Sequence, residues 1–169
     1  MNILSLSSIN AKAPYKVRQL SDETYSFITD SSIEIFVSFE KDEILQSGIS
    51  YQFAISNPKG SKSPRDFKIR NTILTIVQEF FEKNQAALLY ICETGDGMQK
   101  MRNRLFMYWF SLYGESDDYY FQPMTIYDEE QNENFAALII RYDNPKFSDI
   151  VREFTTTINL LNSKPTSEV

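Results

Sequence analysis

Apolar and polar residues change their period several times along this chain, and each change marks an element. Ile33, Ile35, Val37 and Phe39 alternate with Glu34 and Ser38 as a half-buried strand does, and Ile49, Tyr51, Phe53 and Ile55 alternate again after the polar stretch from Glu40 to Ser47. Tyr15 to Leu20 and Tyr25 to Thr29 read as two shorter strands, with a turn at Thr29-Asp30-Ser31-Ser32 closing a hairpin. The period then becomes helical. Ile69, Ile73, Ile76, Val77 and Phe80 fall on one face, widened by Leu74 and Phe81, behind a start signal of Ser63 as N-cap, Pro64 and Asp66. The unbroken apolar run from Ala86 to Cys92 predicts a strand covered on both faces, so Ile49 to Cys92 form a strand-helix-strand crossover with parallel strands, expected to be right-handed.

Beyond the turn Thr94-Gly95-Asp96-Gly97, Asp96 caps a helix carrying Met98, Met101, Leu105, Tyr108, Trp109 and Leu112, which stops at Gly114. Tyr119 to Tyr127 and Phe135 to Tyr142 form a hairpin around an acidic loop, and Pro123 marks an edge strand or a bulge. Asn144 and Pro145 open a last amphipathic helix with Phe147, Ile150, Val151, Phe154, Ile158 and Leu161 inward. The expected fold is α+β: a mixed, mostly antiparallel sheet, one central crossover and three helices. Residues 15–163 make a single domain, with 1–14, rich in serine and asparagine, as a tail or loosely attached edge segment, and 164–169 as a fraying end. No internal repeat interrupts this order.

Composition narrows the chemistry. The chain has no histidine, which removes Ser-His-Asp and Cys-His mechanisms and imidazole-bound metals, and Cys92 is its single cysteine, so no internal disulfide forms. Carboxylate, tyrosine and lysine chemistry, or none, remains. A formal charge of −6 argues against nucleic acid as a partner. No apolar stretch is long enough to cross a bilayer and Met1 to Lys12 lacks the pattern of a secretory signal, so the expectation is a cytoplasmic protein with no membrane partner. No metal site is expected, because the acids near Asp96 lack calcium-loop spacing. Charge is uneven, however. Five bases against Asp66 alone lie between Lys59 and Arg70, Lys100, Arg102 and Arg104 follow on the second helix, and after Gly114 eleven acids face four bases. Either these are solvated faces, or a cationic side meets a phosphate-bearing small molecule or an acidic protein partner.

The segment Asn57-Pro58-Lys59-Gly60-Ser61-Lys62-Ser63-Pro64-Arg65, at a strand-to-helix junction, is the candidate anion site, since a helix start presents unpaired amides and a positive dipole end. The order of elements from Ile33 to Tyr142 resembles the GNAT N-acetyltransferase superfamily. That resemblance implies acetyl-CoA or another acyl-CoA held by Asn57, Lys59, Gly60, Ser61, Lys62, Ser63 and Arg65. It further implies Tyr108 as the acid toward the departing thiolate, Tyr113 as second choice, and Glu93 as base. Gly60 matches that superfamily's phosphate-loop pattern, whereas Asn57 and Lys62 depart from it. Asp96, Gln99, Arg102 and Asn103 form a polar set at the second strand-to-helix junction that suits a ligand, or else a cap with its ion pair.

Tyr90-Ile91-Cys92-Glu93-Thr94-Gly95-Asp96-Gly97-Met98-Gln99, Arg102-Asn103-Arg104-Leu105-Phe106, Asp66-Phe67-Lys68-Ile69-Arg70-Asn71-Thr72-Ile73 and Asp143-Asn144-Pro145 are similar to an uncharacterised family of bacterial proteins of like length, one with no assigned activity. Two functions follow as expectations: a divergent GNAT-like acyltransferase or acyl-CoA-binding protein acting on an unknown amine, or a noncatalytic protein-interaction module of the same fold.

Overall fold

A computed structural model describes residues 1–57, 66–92 and 99–163. Among them, four α-helices accompany one seven-stranded, mostly antiparallel sheet, in the order β1-β2-β3-β4-β5-β7-β6. Along the chain these are α1 (Leu6–Lys12), β1 (Val17–Gln19), β2 (Thr24–Ile28), β3 (Glu34–Lys41), β4 (Ser50–Ser56), α2 (Phe67–Lys83), β5 (Ala87–Cys92), α3 (Gln99–Phe110), a 3-10 turn (Ser111–Glu115), β6 (Tyr119–Tyr127), β7 (Glu133–Arg141) and α4 (Phe147–Ser163). Contacts divide the chain into two compact units, Met1–Lys41 with Phe53–Gln85 and Asp42–Gln52 with Ala86–Val169.

In the first unit, β1, β2 and β3 form an antiparallel meander. Its hairpin turns where expected: the Thr29 amide donates to the Ile33 carbonyl, the Ile33 amide donates to Thr29 Oγ1, and Ser32 takes a left-handed φ of 61°. Alternation places Ile35, Val37 and Phe39 inward, where α2 lays Ile69, Ile73, Ile76, Val77 and Phe80 on them. Phe80 stacks on Phe39 with ring centroids 4.8 Å apart, and Phe53 and Tyr25 close around the pair.

The serine-rich start is not a loose tail. Ser5 caps α1 by accepting from the Ser8 amide, and Leu4 and Ile9 are buried. Asn2 bonds Asn84 and the Lys83 carbonyl, and the Ser5 amide donates to the buried Glu79 carboxylate. A seven-residue helix does not hold itself together in water, so α1 exists because α2 receives its apolar residues. The outer edge of β1 is closed from α1. Since Leu20 N bonds Thr24 O, Val17 faces away from β2, and its N–H and C=O pair with the Asn10 carboxamide at 2.7 and 3.0 Å.

In the second unit, β4 meets β5 in parallel from Ser50↔Ala87 to Gln52↔Leu89, as the crossover pattern predicts, and β5, β7 and β6 continue antiparallel. Leu45, Leu89, Leu138, Ile140, Ile150, Phe154 and Ile158 make the core under α4. Asn144 caps this helix by accepting from the Lys146 amide, but the regular turns begin at Phe147, and Leu161 is exposed rather than inward. On α3 the inward stripe is Phe106 and Phe110, whereas Leu105 and Tyr108, placed by helical spacing on the apolar stripe, face water. Phe106 stacks on Tyr90 at 3.8 Å and on Phe110 at 4.5 Å, so the flat rings win the inward positions.

The loop from Asp42 to Ile49 is bound at both ends. The buried Asp42 carboxylate accepts from the Ile44 and Leu45 amides, Ser50 Oγ and Gln52 Nε2, and Glu153 of α4 accepts from the Gln46 and Ser47 amides. Burial pushes the Glu153 carboxyl up, but the donors of Ser47 and Gln46 outweigh it and hold the group below its ordinary value. Gly48 is required by proximity: a Cβ there would sit 2.6 Å from Ile150 Cδ1 and 3.2 Å from Lys146 Cβ.

Two outcomes follow from this loop. Gly48→Ala destabilises the protein by about 1–3 kcal/mol through overpacking, and adding Ile150→Val, which removes the clashing methyl, recovers part of the loss in urea titrations. A depressed carboxyl stabilises above its unfolded pKa of about 4.3 and loses that contribution as pH falls through the folded value. Glu153→Gln therefore flattens the stability profile in that acidic window, measured as Tm against pH.

Candidate functional site

Helix α2 begins three residues later than its start signal predicts. Its N-cap is Asp66, not Ser63, and the Asp66 carboxylate accepts from the Lys68 amide at 2.8 Å. The same carboxylate accepts a short hydrogen bond from the Tyr15 hydroxyl, whose oxygen in turn receives the Asp30 amide. Asp30 holds Lys68 Nζ at 2.8 Å, and Lys68 also lies over the Tyr15 ring at 5.5 Å. Burial, helped by the Asp66 and Asp30 carboxylates and opposed by the Asp30 amide, pushes the Tyr15 phenol above its usual range. The hydrogen bond to Lys68 lowers Asp30, and Asp30 raises Lys68.

The positive end of α2 thus faces the chain's own carboxylates. An anion approaching these amides meets Asp66 already bonded to them. Of the expected anion-binding residues, Asn57 is half-buried after β4, while Lys59, Gly60, Ser61, Lys62, Ser63 and Arg65 lie outside the described residues.

The other candidates belong to the second unit. Glu93 and Asp96 lie outside the described residues, as do the side chains of Gln99 and Arg102 on α3, and Asn103 is half-buried. Tyr108 is 49% exposed, one turn from Arg104 and beside Leu105, which is 44% exposed. Tyr113, the second candidate acid, packs between Phe110 and Tyr119, and burial drives its phenol far above the ordinary range. A phenol held so firmly neutral is a weak proton donor at neutral pH.

Among the described residues the arrangement offers a surface more than a cavity. A shallow recess between α1 and α2, lined by Ile9, Lys12, Thr75, Gln78 and Glu82, encloses no volume of the kind that small-molecule sites offer. Among the described residues no cluster of His, Cys, Asp or Glu is placed to hold a metal ion, and no helix is long and apolar enough to cross a membrane. The polar residues that organise the structure, Asp42, Glu79, Glu153, Asn10 and Asn162, are ones that periodicity does not single out. Only Asn144, standing before Pro145, carried a local signal.

Asp66→Ala removes the cap and the Tyr15 acceptor together, and costs about 1–2 kcal/mol in chemical denaturation, whereas Asp66→Asn retains capping and costs less.

A family model described as "Family of unknown function (DUF6169)" matches residues 65–156, just over half of the chain. No curated protein and no solved structure matches.

Proposed function

We propose, for a chain that belongs to the family of unknown function DUF6169, that it is a noncatalytic interaction module acting in the bacterial cytoplasm, which binds an acidic protein partner through the outer face of α3. The observation that carries this is the exposure of Leu105 and Tyr108 side by side with Arg104 on a helix that has no acid from Gln99 to Phe110 but carries Lys100, Arg102 and Arg104. Residues three apart share a helix face, so a large aliphatic and an aromatic group stand together within a cationic setting. Such anchors with basic neighbours suit a partner surface that is apolar at its centre and acidic at its rim. The inward rings Phe106 and Phe110 anchor the helix from its other side.

The acyltransferase remains the second reading, favoured by the parallel β4 and β5 joined through α2. Coenzyme titration separates the two. A ligand at a hundred times its dissociation constant adds about 2.7 kcal/mol of stability, so no rise in Tm with coenzyme A or acetyl-coenzyme A up to millimolar levels is expected, and a saturable rise overturns the interaction reading. In the positive arm, a photoreactive residue at position 111, in the 3-10 turn directly after α3, cross-links an acidic protein in cells. Leu105→Glu abolishes that cross-link while changing stability by less than about 0.5 kcal/mol.

A further inference from the structure

Strand β6 ends the sheet, and nothing in its nine residues, Tyr-Tyr-Phe-Gln-Pro-Met-Thr-Ile-Tyr, carries a charge. Exposed edges of this length are usually guarded by lysine or by a bulge. The direction of the backbone groups can be read from the ladder. Tyr142 N bonds Asp118 O at one end and Asp128 N bonds Asn132 O at the other, and the unbroken register between them makes the even-numbered residues the ones bonded to β7. Tyr119, Phe121, Pro123, Thr125 and Tyr127 therefore turn their backbone groups outward.

Among the described residues, Pro123 and Asn162 guard that outer row. Pro123 has no N–H to offer. The Asn162 carboxamide of α4 reaches across, accepting from Tyr127 N–H at 3.0 Å and donating to Thr125 C=O at 2.8 Å, as a neighbouring strand would. The last turn of α4 contributes little else to the core. Ile158 is its final buried residue, and Leu160, Leu161, Asn162 and Ser163 are exposed. This turn can lift without uncovering the core, and lifting it frees the edge.

We infer that Asn162 is an edge latch: the final turn of α4 closes the outer edge of β6, and its release opens that edge to antiparallel pairing with β6 of a second copy of the chain. The second copy is the occupant that fits. The nine uncharged residues meet those of a second copy across a two-fold axis with no like charges opposed among them, Asp118 and Asp128 lying just beyond the paired ends, and the pairing is self-complementary. On β1, where Asn10 holds both backbone groups of Val17, the same chemistry guards an edge of three residues, too short to support such pairing.

The test compares wild type, Asn162→Ala, and Asn162→Ala with Pro123→Val, by sedimentation over a wide concentration range and by amide exchange. Asn162 is exposed, so the single variant keeps its circular dichroism. The expected results are exchange at Tyr127 about tenfold faster in dilute Asn162→Ala, as for one lost hydrogen bond, and a mass that doubles relative to wild type at high concentration, more readily in the double variant. Adding Tyr127→Lys, a charge beside the opened edge, returns the mass to that of wild type. Unchanged exchange at Tyr127 in Asn162→Ala overturns the latch. Faster exchange with no gain in mass, even with Pro123→Val, overturns the pairing.

Discussion

The stack of Phe80 on Phe39 is the contact on which the first unit depends. Both rings are fully buried, and they join the C-terminal part of α2 to β3, the last strand of the meander, with Phe53 and Tyr25 closing the sides. Once α2 lies along that line, its C-terminal end receives Asn2 at Asn84, its buried Glu79 meets the first amide of α1, and its N-terminus comes to Tyr15 and Asp30 through Asp66 and Lys68. Truncating either ring would leave a cavity between helix and sheet.

Backbone satisfaction is the second constraint, and this chain meets it mainly with side-chain carbonyl oxygens. Asp42 and Glu153 take up loop amides, Asp66 and Asn144 take up helix amides, and Asn10 and Asn162 each complete an edge strand with a donor and an acceptor. A carboxamide is suited to the last task because it presents N–H and C=O in one plane, like the peptide group it replaces. These bonds explain why acids and asparagines that look like surface decoration sit where they do. They also bear on function: the Asp66 carboxylate occupies the Lys68 amide at the start of α2, and the exposed side of α3 is the most distinctive described surface.

Much of the element order was legible because it rests on period. Alternation at Ile35, Val37 and Phe39, the helical stripe from Ile69 to Phe80 and the apolar run of β5 each name a face without reference to the rest of the chain. Where two apolar stripes compete on one helix, period does not choose. On α3, Leu105 and Tyr108 fit a helical face as well as Phe106 and Phe110 do, and stacking against Tyr90 and Phe121 selects the latter. The start signal of α2 made Ser63 the N-cap and Asp66 the acid three residues on, whereas the bonds to Lys68 and Tyr15 make Asp66 the cap itself. For the candidate site the sequence supplied the charge pattern of α3 and the absence of histidine; the exposure of Leu105 and Tyr108 was not in it.

What the sequence determined by itself was the succession of strands and helices, the parallel crossover and the chemistries that a chain without histidine leaves open, because these depend on neighbours within a few residues. What the tertiary structure alone decided was which residues meet from far away: Asn2 with Asn84, Ser47 with Glu153, Thr125 with Asn162. Each is a polar pair at large separation, and no periodicity records it, since its partner is chosen only when packing of the apolar faces has brought the two segments together.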